Sequence, residues 1–195
     1  MKISQAMTAF FIEQNIISED QKQIYEYGFE LIFADLINFV LIILASIGLH
    51  SFSTGIIYLC VFVSMRLFCG GFHAETHAMC RIYMLVMFLV FMALYSAFSV
   101  TKIQDVCIIF ASLPIAWIPI FRYAPVIHQN KILSDEYRQK NRVKTFAIGG
   151  GWTVLSVILI LAGVPLGIAI GITIWIVSVS IVLGKIKSVR RGEAS

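Results

Sequence analysis

Charge is what this sequence has least of. Only 13% of its 195 residues are Asp, Glu, Lys or Arg, where a water-soluble domain carries about 25%. With a mean hydropathy of +0.88, that shortfall excludes a core wrapped in an ordinary solvated surface. Alternating segments of about ten residues, the mark of a membrane β-barrel, are absent, which removes that class. The four cysteines, Cys60, Cys69, Cys80 and Cys107, lie in or beside apolar runs. Their spacing fits neither a disulfide scaffold nor a zinc module built on paired CxxC. The first 27 residues lack an uninterrupted apolar centre and a small-residue cleavage site, so they do not read as a secretory signal. No repeat or low-complexity segment interrupts the chain, and residues 1–195 read as a single integral membrane domain. The formal charge of +4 is small; neither a nucleic-acid partner nor a cofactor is expected.

What the sequence does have is uncharged stretches of roughly 20 residues, long enough to cross a hydrocarbon layer ~30 Å thick. The expected fold is all-α: a polytopic membrane helical bundle of about six hydrophobic segments, with an amphipathic N-terminal helix. In that helix, within 1–17, Ile3, Met7, Phe10 and Phe11 share a face, with Gln14 beside them. It fits a helix lying on the bilayer surface or one packed at the bundle edge. Ser18-Glu19-Asp20-Gln21 has the order of a capping box. A first span entering near Gly28 and leaving near Leu49 follows. It carries Glu30, Asp35 and Asn38, polar groups that should face protein or a wet cavity. Further spans are expected over about 53–67, 82–100, 106–121, 145–163 and 165–183. Pro114 and Pro119 should kink or break the fourth. Residues 122–144 read as a basic loop and 184–195 as a basic tail.

Six spans put both termini on one side. With the N-terminus in the cytoplasm, 14 of the 15 basic residues are cytoplasmic and only Lys102 is outside. The positive-inside rule therefore predicts a multi-pass cell-membrane protein with cytoplasmic termini. That orientation puts the polar island at 66–81 in a reducing compartment, where thiols persist.

The island reads Arg66-Leu67-Phe68-Cys69-Gly70-Gly71-Phe72-His73-Ala74-Glu75-Thr76-His77-Ala78-Met79-Cys80-Arg81. A thiol near an imidazole is the minimal kit for nucleophilic attack on a carbonyl. On one continuous helix, His73 would sit ~10 Å from Cys80 along the axis, too far for a hydrogen bond. His77 would be Cys80's neighbour, so spacing alone slightly favours it over His73. A bend between His73 and Cys80 reverses that preference, and Gly70-Gly71 permits a sharp turn and a close approach of bare backbone to a substrate. A zinc site on His73, His77 and Cys80, with Glu75 as base, is the metal alternative, although neither HExxH nor PCxxC is present. The plainer reading is packing. Cys60 and Cys107 are assigned to it, Cys69 stays open, and Glu75 reads as a solvated residue. Glu30 and Asp35 are expected to pair with Arg66 or Arg81. A small transporter or channel with an intramembrane polar path, and a structural or sensor subunit without chemistry, complete the alternatives.

Arg66, Gly70-Gly71, His73-Ala74 and Cys80 have the spacing R-x3-GG-x-HA-x5-C. This pattern resembles the accessory gene regulator protein B (AgrB) family, membrane cysteine endopeptidases of quorum sensing. Length, the amphipathic start and the place of the motif after the second hydrophobic segment agree with it. The resemblance implies a nucleophile at Cys80, a general base at His73, and supporting roles for Arg66, Gly70 and Gly71. It implies an AgrD-like propeptide as substrate, a cyclic thiolactone or lactone peptide as product, and a homodimer. It further implies that 66–81 is not one straight helix, or that His73 and Cys80 close only on substrate. Once it is counted, His77 falls to a packing or surface role. The basic loop and the island would attract an acidic C-terminal region of the propeptide.

Overall fold

The apolar runs all become helices, because a chain in hydrocarbon has to satisfy its backbone hydrogen bonds internally. The computed structural model describes residues 2–71, 77–98, 102–125 and 135–190. Among them, regular structure is entirely helical. The order is α1 (Lys2–Glu13), a 3-10 turn (Glu19–Gln21), α2 (Lys22–Gly48), α3 (Phe52–Cys69), α4 (His77–Ala97), α5 (Ile103–Tyr123), α6 (Asp135–Leu161) and α7 (Leu166–Arg190). Six helices, α2 to α7, are long and apolar enough to cross a membrane. The expected polytopic helical bundle is therefore present.

Its polarity is turned inside out relative to a water-soluble bundle. Leu36, Val40 and Leu44 of α2, Ile115 and Ile118 of α5, and Val154 and Ile158 of α6 are exposed. Ser46, Thr54, Ser156, Thr173, Ser178 and Ser180 are buried. An apolar exterior is what lipid tails accept, while small polar groups gain from facing protein partners.

The centre of the bundle is α7. It packs against α3, α4, α5 and α6. Of its apolar window 72% is buried, against 39% or less for every other span, so it is the helix that lipid sees least. Small residues let the others come close. A Cβ on Gly167 would lie 2.7 Å from the backbone nitrogen of Ile160, and one on Gly171 would lie 3.1 Å from Ile109 Cγ2. The Ser156 hydroxyl donates to the Gly167 carbonyl at 2.7 Å, tying α6 to α7. The connection between them is a glycine-terminated helix end. Gly163 has φ +72°, its N–H bonds the Ile160 carbonyl, and the Val164 N–H bonds the Leu159 carbonyl. Pro165 then stops any continuation.

Several local expectations change. The α1 helix packs on α2 through Ser4 and Thr8, both buried, while Ile3, Met7 and Phe10 point outward. Ser4 Oγ donates to Glu30 Oε1 at 3.5 Å, and Phe11 stacks on Phe29 at 5.5 Å. The helix thus sits at the bundle edge with its apolar face outside. No capping box forms: Ser18 Oγ donates to Asp20 Oδ2 at 3.3 Å and caps no backbone N–H. Pro114 and Pro119 do not break α5; within a bundle, neighbouring helices tolerate the two lost backbone bonds. The segment 122–144 is shorter than expected as a loop, because α5 reaches Tyr123 and α6 starts at Asp135. The tail stays helical to Arg190.

These contacts predict opposite outcomes for two glycine substitutions. Gly167→Ala should destabilise the protein by about 1–3 kcal/mol through overpacking. Gly150→Ala, at a helical position where a Cβ would meet nothing within 4 Å, should be neutral or stabilise by up to about 1 kcal/mol. Thermal unfolding in a fixed detergent checks both.

Candidate functional site

The α3 helix ends where glycine makes ending possible. The Gly70 N–H closes the last turn onto the Arg66 carbonyl at 3.1 Å. Gly70 then takes φ +71° and Gly71 φ +147°, backbone conformations that a side chain opposes. Helix resumes at His77 as α4, so 66–81 is not one straight helix. Gly71 is buried against α7, where a Cβ would stand 2.8 Å from Ser180 Oγ. The bare backbone anticipated next to a substrate is therefore pressed against the central helix.

Arg66 lies in the last turn of α3 and is half-buried. Its guanidinium sits 5.5 Å over the Phe62 ring, and Nη1 is 3.2 Å from Met84 Sδ. Met84 is a core residue of α4, 5% exposed. One turn toward the start of α4 is Cys80, half-buried and packed against the core cluster. Between them in sequence is Tyr83, whose hydroxyl approaches the Ser180 side chain on α7. At i, i+3 and i+4, Cys80, Tyr83 and Met84 share one side of α4. Arg66 at the end of α3 and Cys80, Tyr83 and Met84 at the start of α4 thus lie at one junction. On the other flank, Lys144 Nζ of α6 lies 5.4 Å over the Phe68 ring. Trp152 Nε1 of α6 donates to Ser64 Oγ of α3 at 2.8 Å and holds the two helices in register.

Of the residues expected from the sequence, Arg66, Gly70, Gly71 and Cys80 fall at this one junction. His73 and Glu75, and the side chain of His77, lie outside the described residues, so the choice between the histidines and the zinc reading lies outside them too. Among the described residues no three His, Cys, Asp or Glu side chains gather as a metal site. Cys69 is fully buried, with its Sγ 3.5 Å from the Gly70 carbonyl, and belongs to the turn. Cys60 and Cys107 are exposed on the outer surface, which corrects their assignment to packing. Asp35 is exposed on α2, and Glu30 accepts from Ser4 under α1. Among the described residues neither forms the expected pair with Arg66 or Arg81; Lys22 pairs with Glu19 at 3.7 Å. Asn38 does turn inward, 2% exposed, with no hydrogen-bond partner for Oδ1 among the described residues.

Tyr83, Met84 and Ser180 went unnoticed in the sequence. Tyr83 and Met84 had a faint signal in their helical spacing from Cys80. Ser180 had none, because its place depends on how α7 crosses the end of α3. The arrangement offers a half-buried thiol one helical turn from the Met84 that Arg66 touches.

Gly71→Ala is expected to destabilise the protein by about 1–3 kcal/mol, the scale of one forced backbone conformation. Ser180→Gly in that background should restore part of the loss by removing the clash and leaving the strain; thermal unfolding of the single and double variants measures both. Burial predicts a second asymmetry. In bilayers, iodoacetamide should modify Cys80 about tenfold or more faster than Cys69, access to the thiolate being what sets the rate. Peptide mass spectrometry over time reads the two sites.

The sequence model of the family described as AgrB, Accessory gene regulator B, matches residues 4–182. No curated protein and no solved structure matches the chain. The family match runs from α1 through Ser180 and takes in the whole junction of α3, α4 and α7. The chain belongs to the AgrB, Accessory gene regulator B, family.

Proposed function

We propose that this protein is a membrane-embedded cysteine endopeptidase that cleaves a small quorum-sensing propeptide and promotes its cyclisation. The observation that carries this reading is the position of Cys80. It sits in the first turn of α4, half-buried against the core, on the side of the helix where Met84 touches Arg66. A sulfur facing lipid could not meet a peptide there; this one faces the bundle. Family membership supports a membrane setting, an accessory role in quorum sensing and a propeptide substrate.

The reaction runs through an acyl-enzyme. His73 takes the Cys80 thiol proton as sulfur attacks the scissile carbonyl, forming an S–C bond. Collapse of the tetrahedral intermediate breaks the peptide C–N bond. The proton passes from His73 to the leaving amine, and the C-terminal part of the propeptide departs. A thiol or hydroxyl within the retained part then attacks the thioester carbonyl, displaces the Cys80 sulfur and closes a thiolactone or lactone ring. Negative charge on the carbonyl oxygen is stabilised by the fixed cation of Arg66 and by the N-terminal end of α4. Gly70 and Gly71 set the turn that ends α3 ahead of His73. Exclusion of water by the bundle lets cyclisation compete with hydrolysis.

Placement of the basic residues supports cytoplasmic termini and a cytoplasmic active site. Within this reading the chain is one membrane domain, its catalytic segment is 66–81, and it acts as a homodimer.

The test is reconstitution of the full-length protein in lipid with a candidate propeptide, read by mass spectrometry. Cys80→Ala should abolish cleavage and the trappable covalent adduct. His73→Ala should lower the rate by about 10²–10⁴-fold, the usual worth of a general base. His77→Ala should stay near wild type. Cleavage at full rate by Cys80→Ala would overturn the reading.

A further inference from the structure

A cavity of about 460 Å³ opens where the end of α5 meets the first turns of α6. Three arginines line it, Arg122 from α5 and Arg138 and Arg142 from α6, and among the described residues its lining holds no acidic side chain. On α6, positions 138, 142 and 146 recur every fourth residue and so share one face. Arg142 is held in place: Nη2 donates to the Phe121 carbonyl at 3.3 Å, and the guanidinium lies 5.7 Å over the Phe146 ring. Three like charges around one hollow repel one another and favour a shared anion. Guanidinium groups fit a phosphate through paired N–H donors.

The surroundings narrow the kind of anion. Beneath the arginines, Phe121 stacks near Phe146 at 4.9 Å and near Trp117 at 5.2 Å. Beyond them the outer face of α5 is apolar and open, with Phe121 54%, Ile118 62% and Ile115 55% exposed. In a bilayer that face is covered by acyl chains, so the arginines stand at the headgroup end of the lipid lying on α5, and one molecule with an anionic head and hydrocarbon tails meets both. The aromatic cluster at the end of two spans is what marks a membrane–water interface.

We propose that the arginine-lined cavity between α5 and α6 seats the phosphodiester headgroup of an anionic phospholipid, with its acyl chains along the exposed apolar face of α5. Lys144 over Phe68 shows that this is the same end of the bundle as the α3–α4 junction. The lipid would neutralise charge gathered beside that junction. The proposal stands apart from the peptidase reading, since it concerns binding alone.

Native mass spectrometry of the full-length protein in a neutral detergent tests it. Titrated with phosphatidylglycerol or phosphatidylcholine, the wild type should hold the first phosphatidylglycerol about tenfold more tightly. R122Q/R138Q/R142Q should bring that ratio close to one. Equal retention of the two lipids by the wild type, or an unchanged ratio in the triple variant, overturns the proposal. Inorganic phosphate that displaces phosphatidylglycerol at equal concentration would show a free-anion site and overturn the lipid assignment. Displacement by a soluble peptide rich in Asp and Glu would overturn it in favour of a peptide site. Thermal unfolding in the same detergent reports whether the triple variant folds. Should it fail to fold, R138Q alone, at an exposed position, carries the test, with a loss of about threefold expected.

Discussion

Close approach to α7 is the constraint on which the rest of this structure depends. In hydrocarbon, helices gain little from hiding apolar surface from one another, so association rests on tight packing and on hydrogen bonds between small polar groups. The α7 helix provides both. Gly167 and Gly171 let α6 and α5 reach its backbone, and Ser156 bonds to it directly. Further along, Ser180 meets Gly71 at the turn after α3 and Tyr83 on α4. The helix that holds the bundle together therefore also fixes the junction where the candidate chemistry lies.

That junction shows how a few small groups place larger ones. The positive φ of Gly70 and Gly71 ends α3. Because it stops, α4 begins beside it, and Arg66 can reach across to Met84. The guanidinium lies over the Phe62 ring and against the Met84 thioether. The same end of the bundle collects Lys144 and the arginines of the α5–α6 cavity.

The spans were legible because each is a long run without charge, and the junction was legible because a polar island between two such runs has no other use. The glycine pair announced its turn correctly. Reading failed where an outward face and an inward face have similar composition. Asp35 looked like an interior residue because lipid penalises charge, yet it lies on an exposed side of α2. Pro114 and Pro119 looked like breakers because local rules omit the support of neighbouring helices. The capping box failed because Ser18 found a closer partner in Asp20.

By itself the sequence determined the class, the approximate spans, the turn at Gly70-Gly71 and the residues able to do chemistry, since each follows from local composition and short-range spacing. It also determined the family, because a motif is a string. Only the tertiary structure decided that α7 is central, that Ser180 and Tyr83 belong to the junction, and that three arginines from two helices share a cavity. These facts concern which faces meet. In a chain whose helices are apolar on every side, hydrophobic periodicity cannot distinguish one face from another, so the choice falls to side-chain shape at contacts far apart in sequence.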